Sequence, residues 1–141
     1  MRLTLFFFYI LYFSFPCHSQ NLKIEVIGIK NIKGQLLIGV YTNKENYDAK
    51  QPIIWKAYSK EKVIDGRLTA TLENLTPNTY GIALMDDEDT NWKMNFSFFI
   101  PSEGFAFSNY YHKGITQPTF DDFKFDFKNE DKTVIMKMRY I

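Results

Sequence analysis

Between Met85 and Tyr111 the chain reads MDDEDTNWKMNFSFFIPSEGFAFSNYY, and this stretch carries the residues whose types and spacing could do chemistry. Asp86, Asp87, Glu88 and Asp89 are consecutive acids. Asp87, Asp89 and Asn91 then recur at alternate positions, with Asn95 beyond. A tight loop with oxygens at alternate positions can aim several of them at one hard cation, and calcium takes six to eight. Asp87, Asp89, Asn91 and Asn95 are therefore the candidate metal ligands, and weak calcium binding is the only cofactor expectation. The match to a calcium loop is partial. Trp92 stands where such a loop turns on glycine, and Phe98 where it has its bidentate Glu. The plain alternative is a solvated acidic turn.

The same stretch is dense in aromatic residues. Trp92, Tyr110 and Tyr111 are the candidate ligand-binding residues, because exposed rings stack on sugars and anchor protein interfaces. The phenylalanines at 96, 98, 99, 105 and 107 are expected to form a satellite core beneath the loop. Catalysis is not expected. His112 is the one histidine beyond residue 18, which excludes a multi-histidine zinc site. Ser108 and His112 stand four apart, and Glu103 and Asp121 could pair as carboxylates, but spacing alone gives neither pair a working geometry.

The elements that must position this stretch read as strands. Leu22, Ile24 and Val26 alternate, as do Leu36, Ile38 and Val40, and the turn Asn31–Gly34 between them predicts an antiparallel hairpin. Thr42–Gln51 reads as a turn and Pro52–Tyr58 as an edge strand. Leu68, Ala70 and Leu72 alternate next. A turn follows at 74–80, with Pro77 at its second position and Asn78 left-handed after it. Gly81–Met85 is a central strand. Phe123, Phe125 and Phe127, then Val134, Met136 and Met138, mark the last two. No stretch after Gln20 keeps a helical period for three turns. The expected fold class is all-β: a single antiparallel β-sandwich of about seven strands, in one domain over 20–141. Leu36, Ile38, Val40, Leu68, Leu72, Ile82, Leu84, Val134 and Met136 are its expected core.

Residues 1–19 have the layout of a secretory signal peptide: Arg2, an apolar run from Leu3 to Phe15, then Pro16, Cys17 and Ser19 before a cut at Gln20. The run is short of the roughly 20 residues that span a bilayer. Phe15 and Pro16 fit poorly before a lipidated Cys17. The exported chain would be periplasmic or extracellular, with outer-membrane association left open, and its mature domain would not span a membrane. Removing 1–19 takes away Arg2 and no acid, so 16 basic residues face 16 acidic ones. A net charge of zero and export exclude nucleic acid as a partner.

The mature chain resembles domain-of-unknown-function family 2141, exported bacterial proteins. Leu75-Thr76-Pro77-Asn78-Thr79-Tyr80 resembles the family's Leu-Pro-Pro-Gly-Thr-Tyr turn. Asp86 stands at the His of its His-Asp-Glu-Asn loop, Trp92 at its Gly and Asn95 at its last Asp. The run Pro101, Ser102, Glu103, Gly104, Phe105, Ala106, Phe107, Ser108 and Asn109 resembles its Pro-x-Glu-Gly-aromatic-x-Phe-Ser-Asn motif. Pro118–Asp122 is similar to its Pro-Ser-Phe-Glu-Asp. The resemblance implies a sandwich similar to transthyretin-like (prealbumin-like) and carboxypeptidase-regulatory-like domains, and it implies no reaction. Glu103 is expected to accept backbone hydrogen bonds in its own loop, and Gly104 to hold a conformation costly for other residues. The functional expectation is a non-catalytic structural or protein-interaction module of the cell envelope, its partner an envelope protein or a glycan. The alternatives are a carbohydrate- or small-ligand-binding module using the loop 86–111, and a weak calcium-binding domain.

Overall fold

The computed structural model describes residues 20–141, so the expected export segment lies outside the described residues. Two sheets pack face to face. The first has strand order β10-β1-β4, from β1 (Leu22–Ile27), β4 (Arg67–Leu72) and β10 (Lys132–Lys137). The second has β2 (Gln35–Tyr41) between β3 (Ile54–Ser59) and β5 (Asn78–Asp87). Along its other edge β5 pairs first with β9 (Lys124–Phe127) and then with β8 (Phe105–Phe107). A two-residue hairpin, β6 (Phe96–Ser97) and β7 (Ile100–Pro101), stands apart. The fold is an all-β sandwich, with eight strands in the two main sheets rather than seven.

All nine expected core residues are buried, and they form one cluster between the sheets. Alternation explains this: side chains at every second position of β1, β2, β4, β5 and β10 point at the facing sheet. Tyr80 and Leu75 join that cluster, and the Tyr80 hydroxyl donates to Thr76 O (2.8 Å), closing the 74–80 bend.

Three expectations fail. β1 and β2 are not a hairpin. They lie in opposite sheets, and the exposed connection through Asn31–Gly34 passes from one sheet to the other, so both apolar stripes face the same interior. β1 pairs instead with β4 and, in parallel, with β10, so the sandwich is not wholly antiparallel. Gly28 (φ +83°) breaks the alternation of β1, which exposes Gly28 and buries Ile29. The left-handed residue of the 74–80 bend is Asn74 (φ +60°), where the chain leaves β4; Asn78 already belongs to β5.

The segment read as a turn at 42–51 contains a short helix, α1 (Lys44–Asp48), capped by Asn43 accepting from Asn46 N (2.9 Å). A second, α2 (Phe120–Phe123), precedes β9. They place Tyr47, Phe120 and Phe123 in a second cluster with Tyr41, Phe105 and Phe107, on the outer face of the five-stranded sheet. Among the described residues no helix is long and apolar enough to cross a membrane.

Candidate functional site

β2 is buried on both faces. Leu36, Ile38 and Val40 point into the sandwich, and Leu37 and Tyr41 point out of it. β5 and β8 do the same, presenting Ala83, Met85, Phe105 and Phe107 outward. An outer face of this kind would bind water poorly, and the chain builds walls round it. Trp55, which pairs with Gly39 across β2–β3, stands on one side. Trp92, Met94, Phe96, Phe99 and Pro101 come from the arm that carries β6 and β7. The segment 112–118 closes the far side, held by Arg139, whose guanidinium donates to His112 O (2.8 Å) and Gly114 O (2.6 Å). The groove is open on one side, about 800 Å³ and mostly apolar.

One polar atom in that lining is left over. His112 packs against Phe105, Phe107 and Tyr110, and its Nε2 lies 2.5 Å from Thr116 O. A carbonyl can only accept, so Nε2 carries the proton and Nδ1 of the neutral ring is an acceptor. That Nδ1 is buried and has no partner among the described residues. Buried acceptors are seldom left so.

The phenylalanines divide. Phe105 and Phe107 are core residues, but Phe98 and Phe99 are 94% and 98% exposed and Phe96 is also exposed, so the expected satellite core does not include them. Phe98 (φ +47°) and Phe99 (φ +66°) form the two-residue turn of the β6–β7 hairpin, whose backbone turns both rings out to solvent. Trp92 is 48% exposed on the groove rim and also left-handed (φ +64°). The bend that its Cβ was expected to hinder is made nonetheless. Tyr110 is half-buried beside His112; Tyr111 is exposed, its ring 4.9 Å from Lys137 Nζ and outside the groove lining.

The acidic run folds back on itself beside this rim. Asp87 is buried and accepts from Asn91 N (3.0 Å), Trp92 N (3.2 Å) and the Gln35 amide (2.7 Å). Glu103 accepts from Glu88 N (3.2 Å) and Asn95 N (3.0 Å), which fastens β5 to the arm. Burial pushes the Glu103 carboxyl up, against the pull of those two N–H groups. Asp89 accepts from the Asn91 and Asn95 amides, and the Asn95 bond leads in holding its carboxyl low. Carboxylate oxygens of Asp87, Asp89 and Glu103 lie within 4.8 Å of one another, close enough to hold one cation. Of the four candidate ligands, the structure brings Asp87 and Asp89 together and adds Glu103. Asn91 and Asn95 turn amide nitrogens toward Asp89, and their oxygens accept from Lys93 N and Asn91 Nδ2.

The loop motif knits strands together. Ser108 Oγ donates to Phe123 O (2.7 Å) and accepts from Ile82 N (3.0 Å), so it forms no pair with His112. Asn109 exchanges bonds with Ile135, its N donating to Ile135 O and its Oδ1 accepting from Ile135 N (both 2.9 Å). Asp121 pairs with Lys124, away from Glu103. Gly104 does not have positive φ; a Cβ there would sit 2.3 Å from Tyr140 Cε1, so close approach of the ring is what excludes other residues. Sequence reasoning missed the groove floor and the junction of Lys60, Asp86, Asn31 and Tyr140. For the floor a signal existed in the unbroken apolar runs of β2 and β5.

Neither a curated protein nor a solved structure matches the chain. One family model does, over residues 24–135, and it covers β1, the acidic loop, the arm, the groove and most of β10. The chain belongs to that family, described as uncharacterized proteins conserved in bacteria (DUF2141).

Proposed function

We propose that the protein is a non-catalytic binding module of the bacterial cell envelope, and that its groove takes a small, largely apolar molecule carrying one hydrogen-bond donor. The observation that carries this reading is the concave, mostly apolar groove, with the unpartnered Nδ1 of His112 buried in its wall. Ligand sites are typically concave and apolar with a few placed polar groups. A hydroxyl or amide N–H seated there would satisfy the imidazole. Among the described residues, the groove side chains include no carboxylate, serine or cysteine beside that imidazole, which supports binding over catalysis. A glycan fits less well, since its many hydroxyls would face a mostly apolar lining. Export rests on the pattern of residues 1–19 alone.

The protein-interaction reading draws its support from Phe98 and Phe99, displayed at the tip of the arm. Weak calcium binding at Asp87, Asp89 and Glu103 is the lesser reading, because a cation would compete with backbone N–H groups already bonded to two of these carboxylates.

Both tryptophans of the chain, Trp55 and Trp92, line the groove, so intrinsic fluorescence reports on it directly. Titration with 1-decanol should give a saturable change. His112→Phe should weaken it about tenfold, the worth of one hydrogen bond. Met85→Lys should abolish it. No saturable change across linear and cyclic alcohols would refute the reading.

A further inference from the structure

We propose that the Lys60 and Asn31 side chains join in an intramolecular amide bond, formed by the protein itself with Asp86 as the proton carrier. Lys60, which follows β3, is 0% exposed, as is Asp86 on β5. Lys60 Nζ lies 2.5 Å from Asp86 Oδ1 and 3.2 Å from Asn31 Oδ1. Asn31 belongs to the connection that crosses from the three-stranded to the five-stranded sheet. Lys60 begins the connection that crosses back.

Each part of a transamidation is present. An amine attacks only as the free base, so Nζ must first give up a proton. Asp86 Oδ1 is placed to take that proton, while the Tyr140 hydroxyl holds Oδ2 (2.7 Å). The electrophile is the Asn31 carboxamide. Its oxygen accepts from Lys33 N (2.9 Å), a donor that stays on the atom where negative charge would build once Nζ has moved to the carbon. Its nitrogen donates to Glu88 Oε1 (2.9 Å), which fixes the leaving group on the side away from the amine. Rotation of the carboxamide about its last torsion leaves Cγ in place and turns the carboxamide face toward Nζ, and held neighbours of this kind react at very high effective molarity.

The balance closes without any co-reactant. Nζ bonds to Cγ and the Cγ–Nδ2 bond breaks; of the two protons that the ammonium gives up, one reaches Nδ2 by way of Asp86 and the other stays on Asp86. Ammonia leaves, and nothing is oxidised or reduced. The product replaces a fully buried ammonium with a neutral amide whose N–H still faces Asp86. It would tie together the two crossings at one end of the sandwich.

Intact mass and peptide mapping of the full chain test this. The expected result is a chain lighter by one ammonia, with a branched tryptic peptide joining the segments that hold Asn31 and Lys60. Lys60→Arg and Asn31→Ala should each restore the sequence mass, and Asp86→Asn should leave unjoined chain. N-terminal cyclisation at Gln20 would also lose ammonia, so the branched peptide decides. Loss confined to Gln20, loss of one water (an amide on Asp86 instead), or two linear peptides with normal cleavage after Lys60 would each overturn the proposal.

Discussion

Gly104→Ala should destabilise the protein more than any other single methyl added to the motif. The new Cβ would lie 2.3 Å from Tyr140 Cε1 and 2.7 Å from Cζ, well inside contact distance. The backbone has little room to yield: Gly104 O accepts from Asp86 N (2.8 Å), and Phe105 exchanges two bonds with Arg139 (2.9 and 2.8 Å). The ring must therefore move, and its hydroxyl leaves the buried Asp86 carboxylate. Burial, followed by that carboxylate, pushes the Tyr140 phenol far up, so at neutral pH the hydroxyl is the donor being lost. Overpacking costs about 1–3 kcal/mol and a lost hydrogen bond to a charged group about 1.5–3, together about 2.5–6 kcal/mol. Urea denaturation measures it. In a Tyr140→Ala background the same substitution should cost less than about 1 kcal/mol, because the clash is gone. An equal cost in both backgrounds would show that the ring is not the reason for the glycine.

Trp92→Gly should leave stability within about 1 kcal/mol, since relief of the left-handed backbone offsets lost contacts, yet it should weaken decanol binding; a loss of more than about 3 kcal/mol would make Trp92 a core residue. Leu72→Ala, 3% exposed in the main core, should cost about 2–5 kcal/mol, and a loss under about 0.5 in denaturant would refute its placement. The two acids beside the rim should shift stability with pH in opposite senses. Glu103 is raised by burial, so its contribution is full below the unfolded pKa near 4.5 and is lost as pH rises through the folded value; stability of Glu103→Gln relative to wild type should therefore climb with pH across that window. Asp89 is lowered by its Asn95 bond, so its contribution is lost as pH falls below about 3.8, and Asp89→Asn should match wild type only in acid. Denaturation between pH 3 and 7 checks both, and shifts of the same sign would contradict the assignment.

What could be read from the residues depended on distance along the chain. The inner stripes of β1, β2, β4 and β10 follow from alternation, which is local. Sheet partnership does not. Leu22–Ile27 and Gln35–Tyr41 look like a hairpin, and only long-range pairing with β4 and β10 sends them to different sheets. The outer face was hidden by the assumption that a sandwich strand is polar outside, which Leu37, Tyr41, Met85 and Phe107 violate. Phe98 and Phe99 were misplaced because bulky residues rarely take a turn with two positive φ values. Glu103 was rightly expected to accept backbone N–H bonds, but its approach to Asp87 and Asp89 depends on how β8 returns along β5.

Nitrogen-15 NMR of the His112 imidazole shows whether the groove takes a hydrogen-bond donor through that ring. In the free protein Nε2 should carry a proton held by Thr116 O. On saturation with 1-decanol, Nδ1 should shift as it accepts a hydrogen bond, together with the Met85 and Met94 methyl groups that line the groove. An unchanged Nδ1, with perturbations confined to Phe98 or the acidic turn, would overturn the groove-binding reading.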